Sequence, residues 1–422
     1  MNISTKPVKY IVVINKIFRT TILLSLIGIS AVAVEKKQYT LPEIVELGIK
    51  VNPILSSHRY EIEARKAAYE SSKRFTNPEI EFHKGRAESH DNLTERNTSG
   101  ISLSQPIENP FARHHRIRAS EKEWRSTEHF YALTKLELVH DIKKLFHQIL
   151  LFRNKLDLAE KNLESIRETH ALIKKRAELG EVKELEAIKL YVETLKAENI
   201  RNKIQTELEL AKDRLNKTLA YQLSADFQIR GDLSYIPLEL EEETLVTKTL
   251  MSYPVIKKKE TEIEAAESLR SYAKWQRLPD FKLTGFSHDE LDGRNTGVGI
   301  SLDLPLWNFK GKEIAEAEYR LLKQKDELRA LLMEVSTEVK TRLNKLRLSA
   351  QTLQVFHEGL LAQAEASLRI AEISYKQGEI SLLDYLDSQR TYYSILNDYQ
   401  ESLYTWNADK AALEKAVGEE FR

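Results

Sequence analysis

Gly100-Ile101-Ser102-Leu103-Ser104-Gln105-Pro106 returns about 200 residues later as Gly299-Ile300-Ser301-Leu302-Asp303-Leu304-Pro305. In both, apolar residues alternate with small polar ones, the period of a strand with one greasy face. Each follows a second alternating run: Ile80 and Phe82 with Glu81 and His83, then Phe281 and Leu283 with Lys282 and Thr284. The runs open after Asn77-Pro78-Glu79 and Leu278-Pro279-Asp280, so each copy reads as a strand hairpin, about 79–105 and about 280–304. In the first hairpin, the charged, proline-free stretch from Gly85 to Thr98 reads as an exposed loop. The repeat reaches well beyond the hairpins. Asn52-Pro53 is answered by Tyr253-Pro254, Asn109 by Asn308, and Gly180-Glu181-Val182 with Leu185-Glu186 by Gly378-Glu379-Ile380 with Leu383-Asp384. Constant spacing between partners is what an internal duplication produces.

Between these landmarks the chain reads as helix. A helical turn is expected from Leu41 and a helix from Pro53 to about Phe75. From about Phe111 to Leu179 the residues Leu138, Ile142, Leu145, Ile149, Phe152, Leu156, Ala159, Leu163, Ile166, His170, Ile173 and Ala177 alternate by four and three. That is a heptad seam, and it demands a neighbouring helix. At 1.5 Å per residue such a helix reaches on the order of 100 Å. Gly180 ends it, and a return helix from about Lys183 to Leu219 makes an antiparallel hairpin with its tip at Gly180. The second copy predicts a helix from about Gly311 to Gln377, with Leu328, Leu332, Val335 and Val339 on its seam. It turns at Gly378 and returns toward Val417. The expected organisation is residues 34–220 as first repeat, 221–250 as a connector at the waist of the rods, and 251–422 as second repeat.

The charge balance, 64 basic against 64 acidic residues, leaves no overall field to draw the chain to nucleic acid. Cysteine is absent, which removes disulfides, thiolate metal sites and thiol chemistry together. Residues 1–33 carry Lys6, Lys9, Lys16 and Arg19, an apolar run from Ile22, and Ala31-Val32-Ala33 at the end. A basic start, short apolar stretch and small-x-small close read as a cleaved export signal, with the mature chain beginning near Val34. No later stretch reaches transmembrane-helix length, so an exported chain of this kind enters a membrane by strands. Four strands cannot close a barrel, and spanning barrels start at about eight. Two chains would give eight strands and three would give twelve, a choice that strand arithmetic leaves open.

The ordered duplication of strand hairpins around two glycine-tipped helical hairpins resembles the TolC-like outer-membrane efflux family, over about Leu41 to Gly418. The resemblance implies a mainly α fold with membrane β structure. Duplicated long antiparallel helical hairpins would form a periplasmic α-barrel, and four strands per chain would enter a twelve-stranded β-barrel shared by a homotrimer. It implies an outer-membrane channel of a tripartite efflux or type I secretion system, with a long periplasmic extension. Its partners would be a periplasmic adaptor, an inner-membrane pump of the RND or ABC type, and outer-membrane lipid, with no nucleic acid. No cofactor and no resident metal are implied, and no enzymatic activity. The strings Asn77-Pro78-Glu79-Ile80-Glu81 and Ser104-Gln105-Pro106-Ile107-Glu108 resemble the heavy-metal efflux branch, which makes divalent metal ions a candidate cargo. The run that follows, Asn109-Pro110-Phe111-Ala112-Arg113, departs from the Gly-Gly-Lys-Arg-like run usual in that branch.

The same resemblance assigns residues to a pore entrance. Tyr375 falls where a tyrosine helps hold the periplasmic entrance shut, and Asp384 and Asp387 fall where acids constrict the pore. Glu186 takes the place of the acid in the first copy. Spacing of three puts both aspartates on one helix face, although acids in a first helical turn are also favoured by the dipole alone. Gly180 and Glu181 at one tip, and Gly378 and Glu379 at the other, resemble docking positions for the adaptor.

Nine of the eleven histidines lie in the first copy, among them His83, His90 and the adjacent His114-His115. His140 and His147 are one heptad apart, about 10 Å along a helix and too far for one ion to bridge. His170 reads as a packed polar residue of the seam. The competing reading of the chain is a periplasmic coiled-coil adaptor or scaffold without a pore, also exported and heptad-rich. It would need a compact β-rich module beside one hairpin, and the sequence shows none. A glycine-rich phosphate loop, a nucleophile elbow and a His-Glu-x-x-His helix are likewise absent.

Overall fold

The computed structural model describes residues 37–88, 95–224 and 226–421. The expected export signal over residues 1–33, the expected start at Val34, and His90 lie outside the described residues. The first repeat runs β1 (Gln38–Tyr39), α1 (Leu41–Val51), α2 (Pro53–Ser72), β2 (Glu79–Glu88), β3 (Glu95–Ile107), α3 (Pro110–Glu178) and α4 (Glu184–Thr218). After β4 (Gln228–Ile229) the order returns as α5 (Glu242–Ser252), α6 (Pro254–Trp275), β5 (Phe281–Asp289), β6 (Arg294–Leu302), α7 (Gly311–Val355), α8 (Leu361–Gln377) and α9 (Leu382–Val417). No described helix is long and apolar enough to cross a membrane.

Asparagine-proline pairs start two of the helices for one physical reason. Asn52 Oδ1 accepts from the Ile54 and Leu55 amides at 2.9 and 3.3 Å, and Asn109 Oδ1 accepts from Phe111 and Ala112 at the same distances. The following proline takes the first helical position, where its missing N–H leaves nothing unsatisfied. Both caps also bridge elements. Asn52 Nδ2 donates to the Thr218 carbonyl at 3.0 Å, and the Asn109 amide donates to Asp280 at 2.7 Å.

Four of the strands form one antiparallel sheet in the order β2-β3-β5-β6, so the hairpins of the two repeats join through β3 and β5. Strands β2 and β3 run to Glu88 and from Glu95, so much of the stretch expected as loop from Gly85 to Thr98 is paired. Strand β6 ends at Leu302, which leaves Leu304 outside the ladder although its alternation continues that of the strand. The β1–β4 pair is parallel and only two residues long, and it ties the connector to the entry of the first repeat.

The main core lies at the waist, where Ile44, Leu55, Ile142, Phe146, Leu215, Ile256, Val339, Leu343, Trp406 and Leu413 are buried together. From there the α3/α4 and α8/α9 hairpins extend as rods with a thin seam. Of the residues expected on the α3 seam, Leu138, Ile142, Ile149, Leu163, Ile166 and Ile173 are buried and the rest half-buried. Gln389 reaches Ser165 at 3.1 Å, Arg390 reaches Glu193 at 2.7 Å, and Asn154 reaches Gln400 at 2.8 Å, binding the rods side by side.

The expectation of one unbroken helix over 311–377 is corrected. Helix α3 is continuous for 69 residues, but its counterpart is divided by a π-turn at Phe356–Leu360. Gly359 stands there at φ 133°, which a residue bearing a Cβ resists, while Phe356 stays buried.

Candidate functional site

The two hairpin tips close in the same way. Gly180 and Gly378 sit in the left-handed region at φ 76° and 78°. The next amide reaches back across the last turn, Glu181 to the Arg176 carbonyl and Glu379 to the Ser374 carbonyl, both at 2.9 Å. This is the glycine-terminated helix ending in which positive φ satisfies orphan carbonyls. Each acid then folds onto its own helix: Glu181 accepts from Arg176 Nε at 3.0 Å, and Glu379 from Ser374 Oγ at 3.1 Å. Open space surrounds both glycines.

Ile173, Leu190, Ala371, Leu382, Tyr385 and Leu386 pack the two tips onto each other, with Tyr375 against them. Tyr375 and Tyr385 lie ring on ring, 5.4 Å between centroids and 5° from parallel. Burial, followed by the nearby Glu186 carboxylate, pushes the Tyr375 phenol above its ordinary value. The structure therefore joins Tyr375 with Glu186, as half-buried neighbours across the two repeats.

Asp384 has a second occupation. Its carboxylate accepts from the Ser381 amide and hydroxyl at 3.1 and 2.6 Å, while its own amide donates to Ser381 Oγ at 3.3 Å. This reciprocal cap starts α9 and holds the Asp384 carboxyl below the ordinary aspartate range. Asp387, one turn on, is exposed, and Leu383 beside Asp384 is 60% exposed. Among the described residues no hydrogen bond joins either aspartate to Tyr375 or Glu186. Sequence reading missed Tyr385, Arg176 and Ser381. Of these only Ser381 carried a signal, the Ser-x-x-Asp spacing of a capping box.

At the other end of the molecule the sheet has two unlike faces. The register sets Ile80 opposite Leu103, Phe82 opposite Ile101, Leu283 opposite Ile300 and Phe281 opposite Leu302, all on one face. Those side chains are bare, Phe82 at 75% and Ile300 at 74% exposure. The other face carries Ser102, Ser104, Thr284 and Ser301. There Ser104 meets Thr284 at 2.9 Å, and Lys282 pairs with Glu79 at 2.7 Å. The outer edges of β2 and β6 have no partner strand among the described residues.

Among the described residues no three His, Asp or Glu groups gather into a cluster that could hold a metal ion. His114 and His115 touch edge to face at 5.3 Å, and His170 packs on Tyr191 at 5.7 Å. His140 and His147 lie in α3 with their Nδ1 atoms unpartnered.

Three comparisons bear on this arrangement. The sequence profile of the outer membrane efflux protein family matches residues 46–220 and again 245–419. The cobalt-zinc-cadmium resistance protein CzcC of Cupriavidus metallidurans is 22% identical over 354 residues, covering 83% of each chain. Crystal structures of CusC superpose with a TM-score of 0.76 at 17% identity, covering 90% of this chain and 92% of that one. The outer-membrane channel OprN superposes with a TM-score of 0.78 at 16% identity, covering 90% and 89%.

Proposed function

The chain belongs to the outer membrane efflux protein family, and from that premise we propose that three copies form a duct that passes substrates from a periplasmic adaptor and an inner-membrane pump to the exterior. The observation that carries this reading is the sheet: four strands with one bare apolar face and two open edges. An exposed apolar face of this extent needs lipid, and open edges need strands from another copy. Twelve strands from three copies satisfy both requirements. The coiled-coil scaffold reading leaves that face against water and is set aside.

The entrance is assigned to the tips. Tyr375, stacked on Tyr385 beside Glu186, holds the two hairpins together, and Asp384 and Asp387 ring the axis as a constriction that attracts cations. Gly180 and Glu181, with Gly378 and Glu379, form the ends on which the adaptor seats. Trp307 and Phe309, 93% and 66% exposed where β6 gives way to α7, meet the lipid headgroup zone as interfacial aromatics do. The likeness to a cobalt-zinc-cadmium resistance protein supports divalent metal ions as cargo, driven by an inner-membrane pump of the RND or ABC type.

Cysteine pairs placed on β2 and β6, in a chain that has none of its own, test the assembly. Oxidation in the membrane should give dimer and trimer bands and stop at three. Bands that stop at two, or bands formed only within a single chain, overturn the trimeric duct.

A further inference from the structure

At the fifth residue of β2 and the eighth of β5, the polar face of the sheet carries a feature that neither the duct nor the entrance uses. In the register His83 lies opposite Gly100, and Gly100 lies opposite His288, so the two histidines occupy one row with a glycine between them. The His288 ring lies over that glycine, since a Cβ on Gly100 would meet His288 Nδ1 at 2.2 Å. His83 leans toward it, with 5.8 Å between ring centroids. Glu81, two residues along on the same face, places its carboxylate 3.4 Å from His83 Nε2. Phe286 flanks the other side at 5.3 Å from the His288 ring.

The row lies high on the sheet. His288 is one residue from the end of β5, directly below the β5–β6 turn, while the β2–β3 hairpin continues to Glu88 and Glu95. On the barrel reading this polar face lines the lumen, and the row sits near the outer mouth.

We propose that His83 and His288, bridged across Gly100, form a site for a borderline transition-metal ion such as zinc(II) in the barrel lumen. The inference rests on the duct reading for its inward orientation and goes beyond it in naming an exit site and its chemistry. Imidazole nitrogen suits zinc, copper and nickel, whereas carboxylate and water suit magnesium. A carboxylate beside a ligating histidine helps to fix the ring's orientation, and Glu81 stands 3.4 Å from His83 Nε2. Among the described residues no three His, Asp or Glu groups are gathered closely enough to enclose an ion. Two imidazoles hold it with water in the remaining positions. Such a site is weak and exchangeable, as a conduit requires if its cargo is to leave. Three copies bring six imidazoles to one level of the lumen.

The test uses the full-length protein reconstituted in planar bilayers, with zinc chloride added to the side of the β-hairpin loops and each variant's current referred to its own metal-free value. Zinc should reduce the current. Glu81→Gln should weaken that block on the order of tenfold, His83→Gln should weaken it further, and His83→Gln with His288→Phe should abolish it. Phenylalanine keeps a ring over Gly100, so the strand packing survives the loss of the nitrogen. Equal block by magnesium, or block unchanged in the double variant, overturns the site while leaving the duct intact. A wild-type protein that conducts nothing overturns the duct reading, and the lumenal site with it.

Discussion

Tyr375 and Tyr385 lie nearly parallel at 5.4 Å, and they hold the turn at Gly378 to the helix that follows it. Tyr375 ends one helix of the second hairpin and Tyr385 begins the other, so the stack is a clasp across the tip. Aromatic pairs contribute about 0.5 to 1.5 kcal/mol beyond the area they bury. Tyr375→Ala should therefore loosen the tip and raise the open probability of single channels. Tyr375→Phe keeps the stack and should sit close to wild type in amide exchange at the tip. Equal exchange in the Ala variant would show that the clasp holds nothing.

A second clasp closes the waist. Lys143 donates to Glu414 and to Glu420, both at 2.7 Å, with the Lys143 and Glu414 side chains 12% and 8% exposed. Removing one partner of a buried pair leaves the other charge stranded, at a cost of about 3 to 5 kcal/mol. Lys143→Met should lower the melting temperature and release the C-terminal segment to protease. Lys161→Met, which breaks an exposed pair with Asp157, should do neither.

Acid sensitivity should trace in part to His147. Burial, followed by the charges of Lys143 and Lys410, holds its imidazole down to about 4. The folded state keeps this ring neutral, while the unfolded chain protonates it near the ordinary value of about 6.5. Its contribution to stability is complete above about pH 6.5 and is lost as pH falls through about 4. Melting curves between these values should slope less steeply for His147→Gln than for wild type. Identical slopes would remove His147 from the account.

The two sheet faces should answer differently to charge. Leu103→Arg or Leu283→Arg places a cation against lipid and should cost about 2 to 4 kcal/mol near the midplane. Ser301→Arg, on the opposite face, should be far milder. The comparison is read from refolding yield into vesicles, and equal losses on both faces would mean that neither meets lipid.

Much of this was legible in the chain because each visible signal has a local cause. Alternation at Ile80–Phe82 and Leu283–Thr284 follows from a sheet that meets two different media, and Gly180 and Gly378 mark positions where only positive φ closes the turn. Features that depend on partners distant in sequence were not legible. The stack of Tyr385 on Tyr375 exists only once the hairpin has folded. Gly359 sits in Phe356-His357-Glu358-Gly359-Leu360, a run whose composition reads equally well as plain helix, so the π-turn left no mark. Asp384 carries two signals at once: Ser381-x-x-Asp384 spells a helix cap, and its place after the tip matches the pore position that the family resemblance implies.

The most direct test of the account is single-channel recording of the reconstituted protein beside Asp384→Ala with Asp387→Ala. Three chains would bring six carboxylates around one axis, where the combined field favours cations. Wild type should show discrete cation-selective openings that a trivalent cation blocks when added at the side of the helical tips, and the double variant should lose both block and selectivity. Discrete openings whose block and selectivity are the same in both proteins would contradict the entrance, and the absence of any conductance would contradict the duct itself.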